Sequence, residues 1–83
     1  MKTKGELTNT DKAKFAEVAV KAYAEKTGLA SPDEDEETKV SDLVADLMHY
    51  CDRTGVDWST VMYRAHRHYG EEVKEQSKAR RKS

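Results

Sequence analysis

SDLVADLMHYCDRTGVDWSTVMYRAHRHYGEE, residues 41–72, decides the fold. Apolar side chains recur in it at helical spacing on both sides of Gly55-Val56-Asp57, which predicts two amphipathic helices joined by a tight corner. The stripe before the corner is Val40, Leu43, Val44, Leu47, Tyr50 and Cys51. The stripe after it is Trp58, Val61, Met62, Ala65, Tyr69 and Val73. Gly55 ends the first of these helices, because glycine takes the left-handed conformation that closes a helix. Asp57 caps the next one. Val56 before the cap and Val61 at the fourth helical position form the arrangement of a hydrophobic staple. Gly70 inside the second stripe costs about 1 kcal/mol relative to alanine, so the helix is expected to weaken there or to continue to about Ser77.

Upstream, Asn9 or Thr10 is expected to cap a first helix with Asp11 in its first turn. Its stripe is Phe15, Val18, Ala19, Ala22 and Tyr23, and Gly28 ends it with Leu29 folding back. Ser31-Pro32-Asp33-Glu34 has the residue types of a helix start: a capping serine, proline at the first position and an acid to complete the box. The second helix therefore begins at Pro32 or, after a frayed turn, nearer Thr38. The expected fold is all-α: a three-helix domain over residues 10–77, with an antiparallel helical hairpin and the first helix packed across it. Disordered charged termini flank it, a flexible stretch at 1–9 and a flexible basic tail at 78–83. No internal repeat, strand-period segment or second domain is read from the sequence.

Eighty-three residues make one small domain. A chain of this length buries only about 60–65% of its unfolded surface and is marginal alone. Charged residues are 37% of the chain, above the usual ~25%, but the apolar 36% is clustered and periodic, which argues for a folded middle. The net charge of -1 gives no overall field toward nucleic acid or membrane. Residues 33–37 are five consecutive acids, explained locally by the positive end of a helix dipole. Lys78, Arg80, Arg81 and Lys82 make the tail basic. Cys51 is the sole cysteine and makes no internal disulfide, which fits a reducing cytoplasm. No apolar run approaches the ~20 residues of a membrane span.

Three histidines and a cysteine raise metal binding as a question. His49 and Cys51 are two residues apart on a helix and point to different sides, as do His66 and His68. No CxxC, HxxxH or HExxH spacing occurs, so neither a metal nor a cofactor is expected. Cys51 lies late in its helix beside Asp52, where an anion is disfavoured; it reads as a small core residue. With no phosphate-cradling loop and little room for a pocket, no enzyme is expected.

The glycine corner also fits a DNA-reading helix-turn-helix, in which a small residue precedes the turn glycine by four. Cys51 and Gly55 match it. Ser59, Thr60, Arg64 and Arg67 then face outward, with Arg80 and Arg81 in the tail. Arg64 and Trp58 stand where that motif wants an apolar lock and a small polar residue, and the acidic second helix opposes phosphate. Val20, Met48 and Tyr63 lie roughly 140° around their helices from the core reference positions. With His49 and Arg67 beside them they form a candidate protein-contact face, on which a homodimer would recover missing burial.

Residues 42–72, above all DLVADLMHYCDRTGVD and the later HYGEE, resemble a helical segment of small, largely uncharacterised proteins of bacteriophages and mobile elements. The resemblance implies expression in a bacterial host cytoplasm and action by binding host proteins. It carries no catalytic motif.

Overall fold

The structure, a computed structural model, describes the backbone of residues 7–82 and the side chains of residues 7–76. Three helices account for nearly all of it: α1 (Asn9–Thr27), α2 (Glu36–Thr54) and α3 (Trp58–Lys82). No strand occurs among the described residues, so the chain is all-α as its periodicity implies.

Each helix end has an identifiable chemical cause. α1 is capped by Thr8, one or two residues before the expected Asn9 or Thr10. The Thr8 hydroxyl accepts from the Asp11 amide and the Asp11 carboxylate accepts from the Thr8 amide, both at 3.1 Å, a reciprocal capping box. α2 begins at Glu36 with Asp35 as its cap, close to the later of the two expected starts and not at Pro32. Ser31 is spent on a turn: its hydroxyl accepts from the Asp33 amide at 3.2 Å and its carbonyl from the Glu34 amide at 3.0 Å. Asp35 accepts from the Thr38 amide at 2.8 Å, and hydrogen bonding from Thr38 holds its carboxyl below the usual carboxylate range. Asp57 caps α3 as expected, accepting from both the amide and the hydroxyl of Thr60 at 3.0 and 2.8 Å. α3 runs through Gly70 and on to Lys82, past the expected end near residue 77. Of the flexible ends expected at 1–9 and 78–83, residues 1–6 and Ser83 lie outside the described residues, while Thr8 and Asn9 belong to the start of α1 and the backbone of 78–82 is the end of α3.

The expectation of no internal repeat is corrected. α1 and α2 have 19 residues each, and adding 27 to an α1 number gives its α2 counterpart: cap Thr8 to Asp35, first residue Asn9 to Glu36, terminating Gly28 to Gly55. The ends share one motif, Tyr23-Ala24-Glu25-Lys26-Thr27-Gly28-Leu29 and Tyr50-Cys51-Asp52-Arg53-Thr54-Gly55-Val56. Tyrosine, threonine and glycine are identical, and the other four positions keep their chemical type. The structure repeats as well. Gly28 and Gly55 are left-handed at φ 81 and 75. The amides of each glycine and its successor both donate to the carbonyl four residues before the glycine, Ala24 or Cys51. Thr27 and Thr54 donate back to the carbonyls of Tyr23 and Tyr50 at 2.8 and 2.9 Å. Ala24 and Cys51, at the same position of the motif, are the two buried apolar residues among those described, 3% and 7% exposed.

α1 joins the other two helices. Its start is tied to α3 by an ion pair between Lys12 and Glu72 and by Asn9 Nδ2 donating to the Glu72 carbonyl at 3.2 Å. Its last turns are tied to α2, where the Tyr23 hydroxyl donates to Asp46 at 2.5 Å. The helix faces are covered far less than expected. Phe15, Val18, Val40, Val44, Leu47, Tyr50, Tyr69 and Val73, all placed in core stripes by periodicity, are exposed. α1 turns inward a different face, with Ala13, Ala16, Val20 and Ala24 lining an open hollow of about 690 Å³ against Glu36 and Lys39 of α2. Leu43, Trp58, Val61 and Met62 are half-buried. The radius of gyration is 15.4 Å, against about 12 Å for a compact domain of this length.

Candidate interaction faces

The functional residues suggested by the sequence do not form one patch. Met48 is exposed on α2 and His49 beside it is exposed as well. Tyr63 is 67% exposed on α3, and the Arg67 guanidinium stands 5.8 Å from its ring centre, a cation–π contact at the surface. Val20 is different: it is half-buried and lines the hollow between α1 and α2. Its 140° offset from Phe15 puts it on the inward face, because Phe15 itself points out.

Eleven large apolar side chains are exposed among the described residues. On α1 they are Phe15 and Val18. On α3 they are Tyr63, Tyr69 and Val73, with Tyr69 at 70%. The densest set is on α2, where Val40, Val44, Leu47 and Met48 follow one another at i, i+4, i+7 and i+8 along one face. Between Val40 and Cys51 this face carries no charged residue; Ser41 is its polar member, with a hydroxyl that donates to the Glu37 carbonyl at 2.6 Å. The repeat signals what is unusual here. The α1 counterparts of Val44 and Met48 are Glu17 and Lys21, which form an i,i+4 ion pair at 3.3 Å.

The chain exposes 7197 Å². A compact monomer of 9.4 kDa exposes about 5,000 Å². The surplus is about 2,000 Å² and includes large apolar groups, which in a monomer gain only part of the burial open to them.

The residues of the DNA-reading alternative are arranged poorly for it. Ser59, Arg64 and Arg67 are exposed, but the amide and hydroxyl of Thr60 both bond Asp57. That carboxylate occupies the start of α3, where a phosphate would dock. The Arg80 and Arg81 side chains lie outside the described residues. Among the described residues no three His, Cys, Asp or Glu side chains are grouped to hold a metal ion, and no helix is long and apolar enough to cross a membrane. No family model matches the chain, and no curated protein or solved structure matches it well enough to count as similar.

Proposed function

We propose that this chain is a small non-enzymatic interaction protein, of phage or mobile-element origin and working in a bacterial cytoplasm, that lays its open apolar faces on other protein surfaces, including a second copy and a host protein. One observation carries the reading: most of the large apolar residues placed in the core by periodicity lie on the surface, and only Ala24 and Cys51 are buried among the described residues. A patch of that extent marks a contact surface in a chain with too little core of its own. The phage and host parts of the reading draw on the resemblance of residues 42–72.

The test is affinity capture from bacterial lysate with the full chain, beside a Phe15→Glu/Tyr63→Glu variant. A discrete protein retained by the parent and lost with the variant is expected. A folded parent that stays at 9.4 kDa in solution and retains nothing overturns the reading. Nucleic-acid binding is the weaker alternative, given the Asp57 carboxylate at the start of α3. Duplex binding that falls steeply with salt and is lost on Arg64→Ala or Arg67→Ala would place it first.

A further inference from the structure

We infer that the occupant of the α2 face is a second copy of this chain, packed antiparallel about a two-fold axis near Val44. The inference rests on the interaction reading above and names its partner.

Area is the first argument. Obligate homodimers bury about 2,000–5,000 Å² in total, or about 1,000–2,500 Å² per chain. The surplus surface over the whole chain is about 2,000 Å², of the order that such a dimer needs from each subunit.

Self-complementarity is the second. A two-fold contact sets each face against its own copy, so any charge near the axis meets itself. From Val40 through Ser41, Val44, Leu47 and Met48 to Cys51, the α2 face has none. With the axis at Val44, Val40 falls opposite the partner's Met48 and Val44 opposite the partner's Val44. Orientation follows from the ends. Glu36 and Glu37 occupy the first turn of α2 and Arg53 the last. Arg53 lies about 180° around α2 from Val44, off this face, so the orientation rests on antiparallel packing, which opposes the helix dipoles and parts the acidic first turns, whereas parallel packing sets Glu37 beside the partner's Glu37.

The repeat is the third. α1 turns the corresponding face to its own chain and carries the Glu17–Lys21 ion pair at its rim. α2 has an apolar pair at those positions, Val44 and Met48, 37% and 43% exposed.

The decisive experiment is solution mass by light scattering or sedimentation across a dilution series, with cysteine cross-linking to fix the face. The parent is expected at twice 9.4 kDa. A Val44→Glu/Met48→Lys variant installs the α1 ion pair, keeps helicity and falls to half that mass. In a Cys51→Ser background checked for parent-like mass and helicity, Val44→Cys cross-links with itself on mild oxidation. A Val40→Cys chain mixed with a Met48→Cys chain gives the mixed product in excess of either self-product. A parent dimer that Val44→Cys fails to trap, or in which Val40→Cys traps mainly itself, overturns the face or the orientation. A monomeric parent that still captures a lysate protein, lost on Met48→Glu, overturns the second copy and leaves the interaction reading standing. A monomer that captures nothing removes both.

Discussion

α1 and α2 are built to the same specification and end up in different surroundings. They share length, cap position, terminating glycine and a seven-residue closing motif. The difference lies in what covers them. The inward face of α1 is mostly alanine and lines an open hollow against α2, with Ala24 buried at its end. The corresponding face of α2 carries Val40, Val44, Leu47 and Met48, all exposed, with Leu43 half-buried at its edge and Cys51 buried in its last turn. The comparison teaches that local signals set where these helices stop, while the size of the side chains decides which face stays inside.

The largest effect expected from breaking the comparison is at its two buried positions. Ala24→Asp and Cys51→Asp each place a charge in a covered site with no partner, which costs about 3 kcal/mol or more. A chain this marginal should lose its helical circular dichroism at room temperature in both variants. Val18→Asp, on the open side of α1 at 68% exposure, is expected to shift stability by less than about 0.5 kcal/mol. A Val18→Asp cost as large as that of Ala24→Asp would show that α1 is covered on both sides and would end the contrast between faces.

Much of this was legible in the sequence, and the limits have physical causes. Gly28, Gly55 and Asp57 were readable because a helix end is a local event, fixed by one conformation or one side-chain acceptor. Ser31-Pro32 misled because the same residue types that start a helix also make a turn, and which one forms depends on whether Asp35 further on offers a better cap. Periodicity located the apolar residues but not their cover. Phe15 and Val18 outrank Ala24 in hydrophobicity, yet they point out and Ala24 is buried. Met48 and Tyr63 were found as surplus apolar surface by their angle, and both are exposed; Val20, found the same way, faces inward. The repeat was missed because only Tyr, Thr and Gly are identical in it. Its signal is the order tyrosine, small, acid, base, threonine, glycine, aliphatic, recurring after 27 positions.

A smaller effect separates the two ends from their faces. Gly28 and Gly55 are both left-handed, and a methyl group at either would meet nothing within 4 Å. Gly28→Ala and Gly55→Ala therefore test backbone conformation alone, at a cost of about 1–2 kcal/mol each. Nearly equal shifts in the urea midpoint are expected, since the motif is the same in both places. A cost confined to Gly55 would mean that the corner into α3 is specified and the end of α1 is only permitted.

The smallest effect comes from the one tyrosine of the motif that has a partner. Tyr23 donates to Asp46 at 2.5 Å, and that bond, ahead of local desolvation and the nearby negative charge, raises its pKa from 10.0 to about 12. Tyr50, its counterpart in α2, is 61% exposed. Because the folded value lies above the unfolded one, the bond's contribution is fully present below about pH 10. It is lost as the pH rises through about 12. Alkaline titration followed by phenolate absorbance should show one late component that Tyr23→Phe removes and Asp46→Asn moves to lower pH. Tyr50→Phe should leave that component in place. If Asp46→Asn does not move it, the α1–α2 contact is not held through this pair. The link between the two copies of the motif would then reside in the packing around Ala24 alone.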